Sequence, residues 1–104
     1  MASAKLIYDE YIVVANGLYE ARITAYEVPN NVKFPDGIKL KCVLLDLQRN
    51  VPRLLLDNHE PFGYHMHTKL PHDKQYRIKI HARNYENAIE IFLKEVQRMV
   101  KNEI

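Results

Sequence analysis

Only one stretch of this chain repeats at helical spacing, and it lies at the C-terminal end. Tyr85, Ala88, Ile89, Phe92, Leu93, Val96, Met99 and Val100 recur three and four residues apart, which predicts a helix with one wide apolar face. Glu86, Glu90, Lys94, Arg98 and Lys101 fall on the opposite side. Asn84 is suited to the N-cap, and acid early with base late complements the helix dipole. A lone amphipathic helix cannot bury its own stripe. The rest of the chain must supply the surface that covers it.

What precedes the helix reads mainly as strands. Residues 5–14 hold Leu6, Ile7, Ile12, Val13 and Val14 around an acidic Asp9-Glu10 step. Asn16-Gly17 follows, a strong hairpin signal because both residue types tolerate positive φ. Over residues 18–28, Tyr19, Ala21, Ile23 and Ala25 share one face and Glu20, Arg22, Thr24 and Tyr26 the other. Pro29-Asn30-Asn31 and Pro35-Asp36-Gly37 bracket a loop. Residues 38–48 form a strand in which Lys39 and Lys41 alternate with Ile38, Leu40, Cys42 and Leu44. A turn at Gln48-Arg49-Asn50 leads to a strand from Val51 to Leu56, with Pro52 at its start, where a missing N–H is tolerated. Residues 57–74 show no useful period and read as a long loop or two short extended pieces. Residues 75–82 read as a strand with Tyr76, Ile78 and Ile80 inward and Arg77, Lys79 and His81 outward.

The expected architecture is therefore α+β. One domain spans residues 1–104, with a mainly antiparallel sheet of about five strands packed on one C-terminal helix. The sheet face away from the helix would display Arg22, Lys39, Lys41, Arg77, Lys79 and His81, since antiparallel sheets commonly keep one wet face. Exposed edge strands would permit a homodimer. At 104 residues there is material for one core, and 47% apolar residues suffice to build it.

Several function classes are excluded or weakened by composition. The single cysteine, Cys42, rules out an internal disulfide and a Cys-rich zinc site, and in a strand-like run it reads as a small core residue. The only serine is Ser3, and there is no Gly-x-Ser-x-Gly elbow, so Ser-His-Asp hydrolysis is effectively excluded. A net charge of +2 permits contact with nucleic acid without arguing for it. Residues 1–5 lack an apolar leader region, and no apolar run approaches the ~20 residues that span a bilayer. The expectation is a cytoplasmic protein with no membrane partner.

The anomaly is the segment Asp57 to His72. Four of the five histidines fall within its last fourteen residues, at positions 59, 65, 67 and 72. In extended backbone the imidazoles of His65 and His67 point the same way. Three readings stay open. Neutral imidazoles bind transition metals, with His59, Asp57 or His72 as a third ligand beside His65 and His67; no cofactor is assigned on this basis. Alternatively, the pair performs general acid–base catalysis, one ring taking a proton and the other giving one. RNA supplies its own 2′-OH nucleophile, and Arg77, Lys79, Lys69 or Lys74 could meet the developing charge. In the third reading Asp57, Asn58 and the histidines only hydrogen-bond a long loop into shape, with Gly63 serving a tight turn.

The stretch Leu55-Leu56-Asp57-Asn58-His59-Glu60-Pro61-Phe62-Gly63-Tyr64-His65-Met66-His67 resembles the signature of the TumE-type toxins of prokaryotic toxin–antitoxin loci. Lys5-Leu6-Ile7, Tyr26-Glu27-Val28-Pro29, Lys74-Gln75-Tyr76-Arg77-Ile78 and the closing helix also fit, though only the Asp-Asn…Gly-x-His-x-His core is specific. His72 is outside the matching pattern. The resemblance implies a toxin encoded beside a helix-turn-helix antitoxin, and an RNA-directed activity at the level of class analogy. On this expectation His65 and His67 are the acid–base pair, and Asp57 or Asn58 orients an imidazole. Arg77 and Lys79 hold phosphate, and Tyr64 contacts substrate. The rival expectation is a non-enzymatic protein- or nucleic-acid-binding module whose His cluster braces a loop.

Overall fold

The computed structural model describes residues 4–103. Its strands are β1 (Lys5–Val14), β2 (Tyr19–Glu27), β3 (Ile38–Asp46), β4 (Val51–Asp57), β5 (His65–His67) and β6 (Ile78–Lys79), followed by helix α1 (Tyr85–Glu103). Each strand pairs antiparallel with the next, so the sheet order is the chain order. The α+β expectation holds, with six strands rather than about five.

The first hairpin turns through Ala15–Gly17, where Ala15, Asn16 and Gly17 all have positive φ. Asn and Gly adopt this conformation cheaply. The second hairpin turns over residues 47–50, so β3 ends at Asp46 rather than at Gln48. Asp46 Oδ1 accepts from the N–H groups of Gln48 and Arg49 and closes that turn.

Alternation sorts the side chains. Tyr19, Ala21, Ile23, Ala25, Leu40, Cys42, Leu44, Leu54, Leu56 and Met66 point to one face and are buried. The α1 stripe of Ala88, Ile89, Phe92, Val96 and Val100 covers that face, lying over β2 and β3. Cys42 is fully buried among them, and burial pushes its thiol up to about 12. The helix starts as expected: Asn84 Oδ1 accepts from Asn87 N–H at 2.8 Å, and Asn87 Oδ1 accepts from Arg83 N–H. The first bond satisfies a donor that the first turn leaves free, and the second ties the residue before the N-cap to the first turn.

One expectation needs correction. Only Ile78–Lys79 of the segment 75–82 pair as a strand, and Tyr76 and Ile78, expected inward, are exposed. The strand pairs on one side only, with the three-residue β5, so little apolar surface can close over it. Within residues 57–74, of the two alternatives, His65–His67 is a short extended piece that pairs as a strand.

Beyond Asp57 the backbone leaves the ladder, but the next side chain continues it. The buried Asn58 accepts from Leu40 N–H at 3.0 Å through Oδ1 and donates to the Ile38 carbonyl at 2.9 Å through Nδ2. Asn58→Ala leaves those β3 groups without partners, and a buried unsatisfied group costs ~1–3 kcal/mol. Urea denaturation should show a loss of about 2 kcal/mol or more, with an unchanged slope. Phe92 is fully buried at the centre of the helix stripe, and Phe92→Ala should cost ~3–5 kcal/mol. That is a large share of the ~5–15 kcal/mol available to a domain, so the thermal transition should fall by more than about 10 °C.

Candidate functional site

Sheet parity builds the site. Met66 is inside, so its neighbours His65 and His67 lie on the opposite face, away from α1. The ladder then sets their cross-strand neighbours. Lys41 pairs with Asp57, Asp57 with His65, and His65 with Lys79. Four ionisable side chains thus share one row across β3–β6, with adjacent strands ~4.8 Å apart. In the next row Leu55 is opposite His67.

His65 nevertheless is only 2% exposed, because the segment after Asp57 folds back over this face. The rings of His59 and Phe62 meet His65 edge-on, with centroids 5.1 and 5.5 Å away. The His67 ring also meets it edge-on, with its centroid 5.2 Å away. Arg77 places its guanidinium 4.0 Å from the centroid of the Phe62 ring, a stacked cation–π contact. The fold-back is pinned by Glu60 N–H donating to the Lys33 carbonyl at 2.9 Å.

Hydrogen bonds set the protonation pattern. His65 Nδ1 donates to the Gly63 carbonyl at 2.7 Å. In the neutral ring this leaves the lone pair on Nε2. Gly63 sits at φ +61°, a backbone conformation in which a Cβ is disfavoured. Burial lowers the His65 pKa from its usual value, since desolvation disfavours the charged ring. The Gly63 carbonyl and the Asp57 carboxylate oppose this, while His67 and His59 add to it. Asp57 Oδ1 accepts from Asn58 N–H at 2.7 Å, and Oδ2 lies 3.3 Å from His59 Nδ1. The Nδ1 atom of His67 is buried and has no hydrogen-bond partner among the described residues.

The expected site residues therefore divide. Asp57, His65 and His67 come together, and Lys79 and Arg77 stand beside them. Asn58 is next in sequence, but both ends of its amide are engaged by the β3 backbone, so its position is that of a clamp. Tyr64 alternates to the other side and packs against the core cluster; burial raises its pKa. His72 lies elsewhere, in a cleft with Arg49, Val51, Arg53 and Pro71. Lys69 is held over the Tyr76 ring at 4.1 Å, and Lys74 is exposed.

Sequence reasoning undervalued His59 and Phe62. Both reach the site through the fold-back, which has no local period. Lys41, the cross-strand neighbour of Asp57, was legible from parity. An open cleft of about 300 Å³ borders the site, lined by Lys33, Phe34, Lys39, Asp57 and His59. The cleft joins the Asp57–His59 pair to solvent between two lysines. A larger cleft, of about 490 Å³, lies around Lys5, Glu27, Asn30 and Asp36 and contains none of the histidines. Asp57, His59 and His65 each offer one ligand atom within 4.8 Å of the other two, a set able to hold a metal ion.

Among the described residues no helix is long and apolar enough to cross a membrane. No protein-family model matches the chain, and neither a curated protein nor a solved structure is significantly similar to it.

Proposed function

We propose that this protein is the toxin component of a toxin–antitoxin pair, acting on RNA in the cytoplasm through an acid–base site at His65 and His67. The observation that carries this reading is the row Asp57–His65–Lys79, in which a buried imidazole lies between a half-buried carboxylate and an exposed ammonium, with the Nδ1–H of His65 given to the Gly63 carbonyl. A neutral imidazole fixed in that tautomer presents its Nε2 lone pair as a proton acceptor. Cleavage of RNA needs a base for the 2′-OH proton, an acid for the leaving 5′-oxygen, and cations for the charge on phosphorus. His65 is the base. His67, one ring away, is the second imidazole. Arg77 and Lys79 are the cations, and Lys33 and Lys39 line the approach. A helix-turn-helix antitoxin is the partner that the sequence resemblance supports.

A second reading has its own observation. The edge-on chain of Phe62, His59, His65 and His67 and the near-complete burial of His65 also suit a brace that holds the 58–64 segment onto the sheet. In that case the chain is a binding module and the histidines contribute to stability alone.

One experiment separates the two. Purified wild type and His65→Ala/His67→Ala are incubated with total RNA, with and without EDTA, and both are melted. The acid–base reading expects cleavage by wild type in both conditions. The variant should be about 100-fold slower or worse, and induced expression should arrest growth only for the wild type. The brace reading expects no cleavage by either protein, and a variant destabilised by ~1–3 kcal/mol through lost buried hydrogen bonds. Absence of cleavage by folded wild type overturns the ribonuclease reading.

A further inference from the structure

We infer that Asp57, His59 and His65 form a binding site for one divalent transition-metal ion of the zinc class. The donor set is one carboxylate oxygen and two imidazole nitrogens, within 4.8 Å of one another. Around a tetrahedral ion with bonds of ~2.1 Å, ligand atoms stand ~3.4 Å apart. The three groups therefore need to close by no more than about 1.4 Å, the difference between these two separations. Asp57 and His59 are only half-buried and can make that adjustment by side-chain rotation, while His65 stays in place.

The surroundings are those of a supported ligand shell. The ladder holds Asp57 opposite His65, and the turn beyond β4 returns His59 to Asp57 at 3.3 Å. The Gly63 carbonyl engages His65 Nδ1, the outer-shell contact that fixes tautomer and ring orientation in metal-binding histidines. Asn58 N–H engages Asp57 Oδ1 and leaves Oδ2 for the ion. Three protein ligands leave a fourth position open, and Asp57 and His59 line the 300 Å³ cleft. That is the arrangement of sites that exchange water or substrate at the metal.

The chemistry of the donors sets selectivity. Magnesium and calcium need several oxygen ligands and gain little from imidazole. One carboxylate beside Lys39 and Lys41 offers them no electrostatic well. Zinc, cobalt and nickel bind imidazole strongly and tolerate the residual positive charge.

The site stands independently of the proposed reaction, but the two share an atom. A metal on the imidazole of His65 takes the lone pair that acid–base cleavage uses, so loading should silence cleavage rather than support it.

The test uses the full chain stripped with EDTA and dialysed. Zn²⁺ and Co²⁺ are titrated by calorimetry and by visible absorption of bound cobalt, with Mg²⁺ as comparison. The expected result is one ion per chain, no response to Mg²⁺, and a rise in melting temperature on loading. His59→Ala and Asp57→Asn should each weaken binding by about 100-fold or more, beyond the ~10–100-fold that loss of an outer-shell partner costs. His72→Ala, outside the set, should bind as wild type. Circular dichroism checks that the variants are folded. No binding, binding equally satisfied by Mg²⁺, or full binding by both ligand variants overturns the inference. The RNA assay with added Zn²⁺ judges the other proposal separately. Cleavage that requires zinc would overturn the metal-free acid–base reading and leave the metal site standing.

Discussion

Burial of the α1 stripe against the sheet settles which way every strand faces. Phe92, Ile89 and Val96 need a continuous apolar surface, and Ile23, Leu40, Cys42, Leu44, Leu54 and Leu56 provide it. In a pleated strand the alternate residues then have no choice of side. The consequence runs to the far end of the sheet. Met66 is the inward residue of β5, so His65 and His67 must stand together on the outer face. A one-residue slip would put both imidazoles into the apolar core and Met66 into the polar row. The hydrophobic contact of one helix thus positions a polar site on the opposite side of the sheet.

Parity alone would leave that site wet. What makes it unusual is the second layer added by residues 58–64. Asn58 anchors the departure from β4 by bonding to the β3 backbone. Glu60 ties the segment to Lys33, and Gly63 turns it back to β5. Phe62 and His59 are thereby laid on His65. Water is excluded from an imidazole that lies between a carboxylate and an ammonium in the same row. Exclusion of water strengthens the pull of each charge on its neighbours. It also disfavours the charged imidazole, which is why the pKa of His65 falls even with Asp57 opposite.

The sequence made the scaffold legible where elements were long enough to show a period. The helix repeats its stripe over four turns, β2 alternates over its nine residues, and β3 alternates from Ile38 to Cys42, while β1 and β4 read as apolar runs bounded by turn residues. β5 has three residues between a glycine loop and a proline, too few to declare a period. β6 failed in the opposite way: alternation at Tyr76, Ile78 and Ile80 looked like a half-buried strand, but the edge position leaves the first two exposed. At the site, the spacing of His65 and His67 was readable because i and i+2 share a face. The same rule sends Tyr64 to the core side. His59 and Phe62 arrive through a change of chain direction, which depends on long-range contacts from Lys33 and β3.

A cluster of this kind runs against the economy of the rest of the fold. Elsewhere the outer face carries charged residues in water, Lys39 among them and Arg22 beside Asp9 at 3.7 Å, at little cost. Here the imidazoles of His59 and His65 lie against the Phe62 ring beside a half-buried carboxylate, and one buried nitrogen of His67 has no partner among the described residues. Apolar side chains of the same volume would brace the segment without desolvating polar atoms. Departures from local consistency of this sort concentrate at functional sites. The two chemistries argued above both follow from one feature, a neutral imidazole with its Nδ1 proton committed to a backbone carbonyl. The Nε2 lone pair is then the one acceptor the neutral ring has left. A proton and a metal ion would compete for it, because a single Nε2 cannot serve both at once.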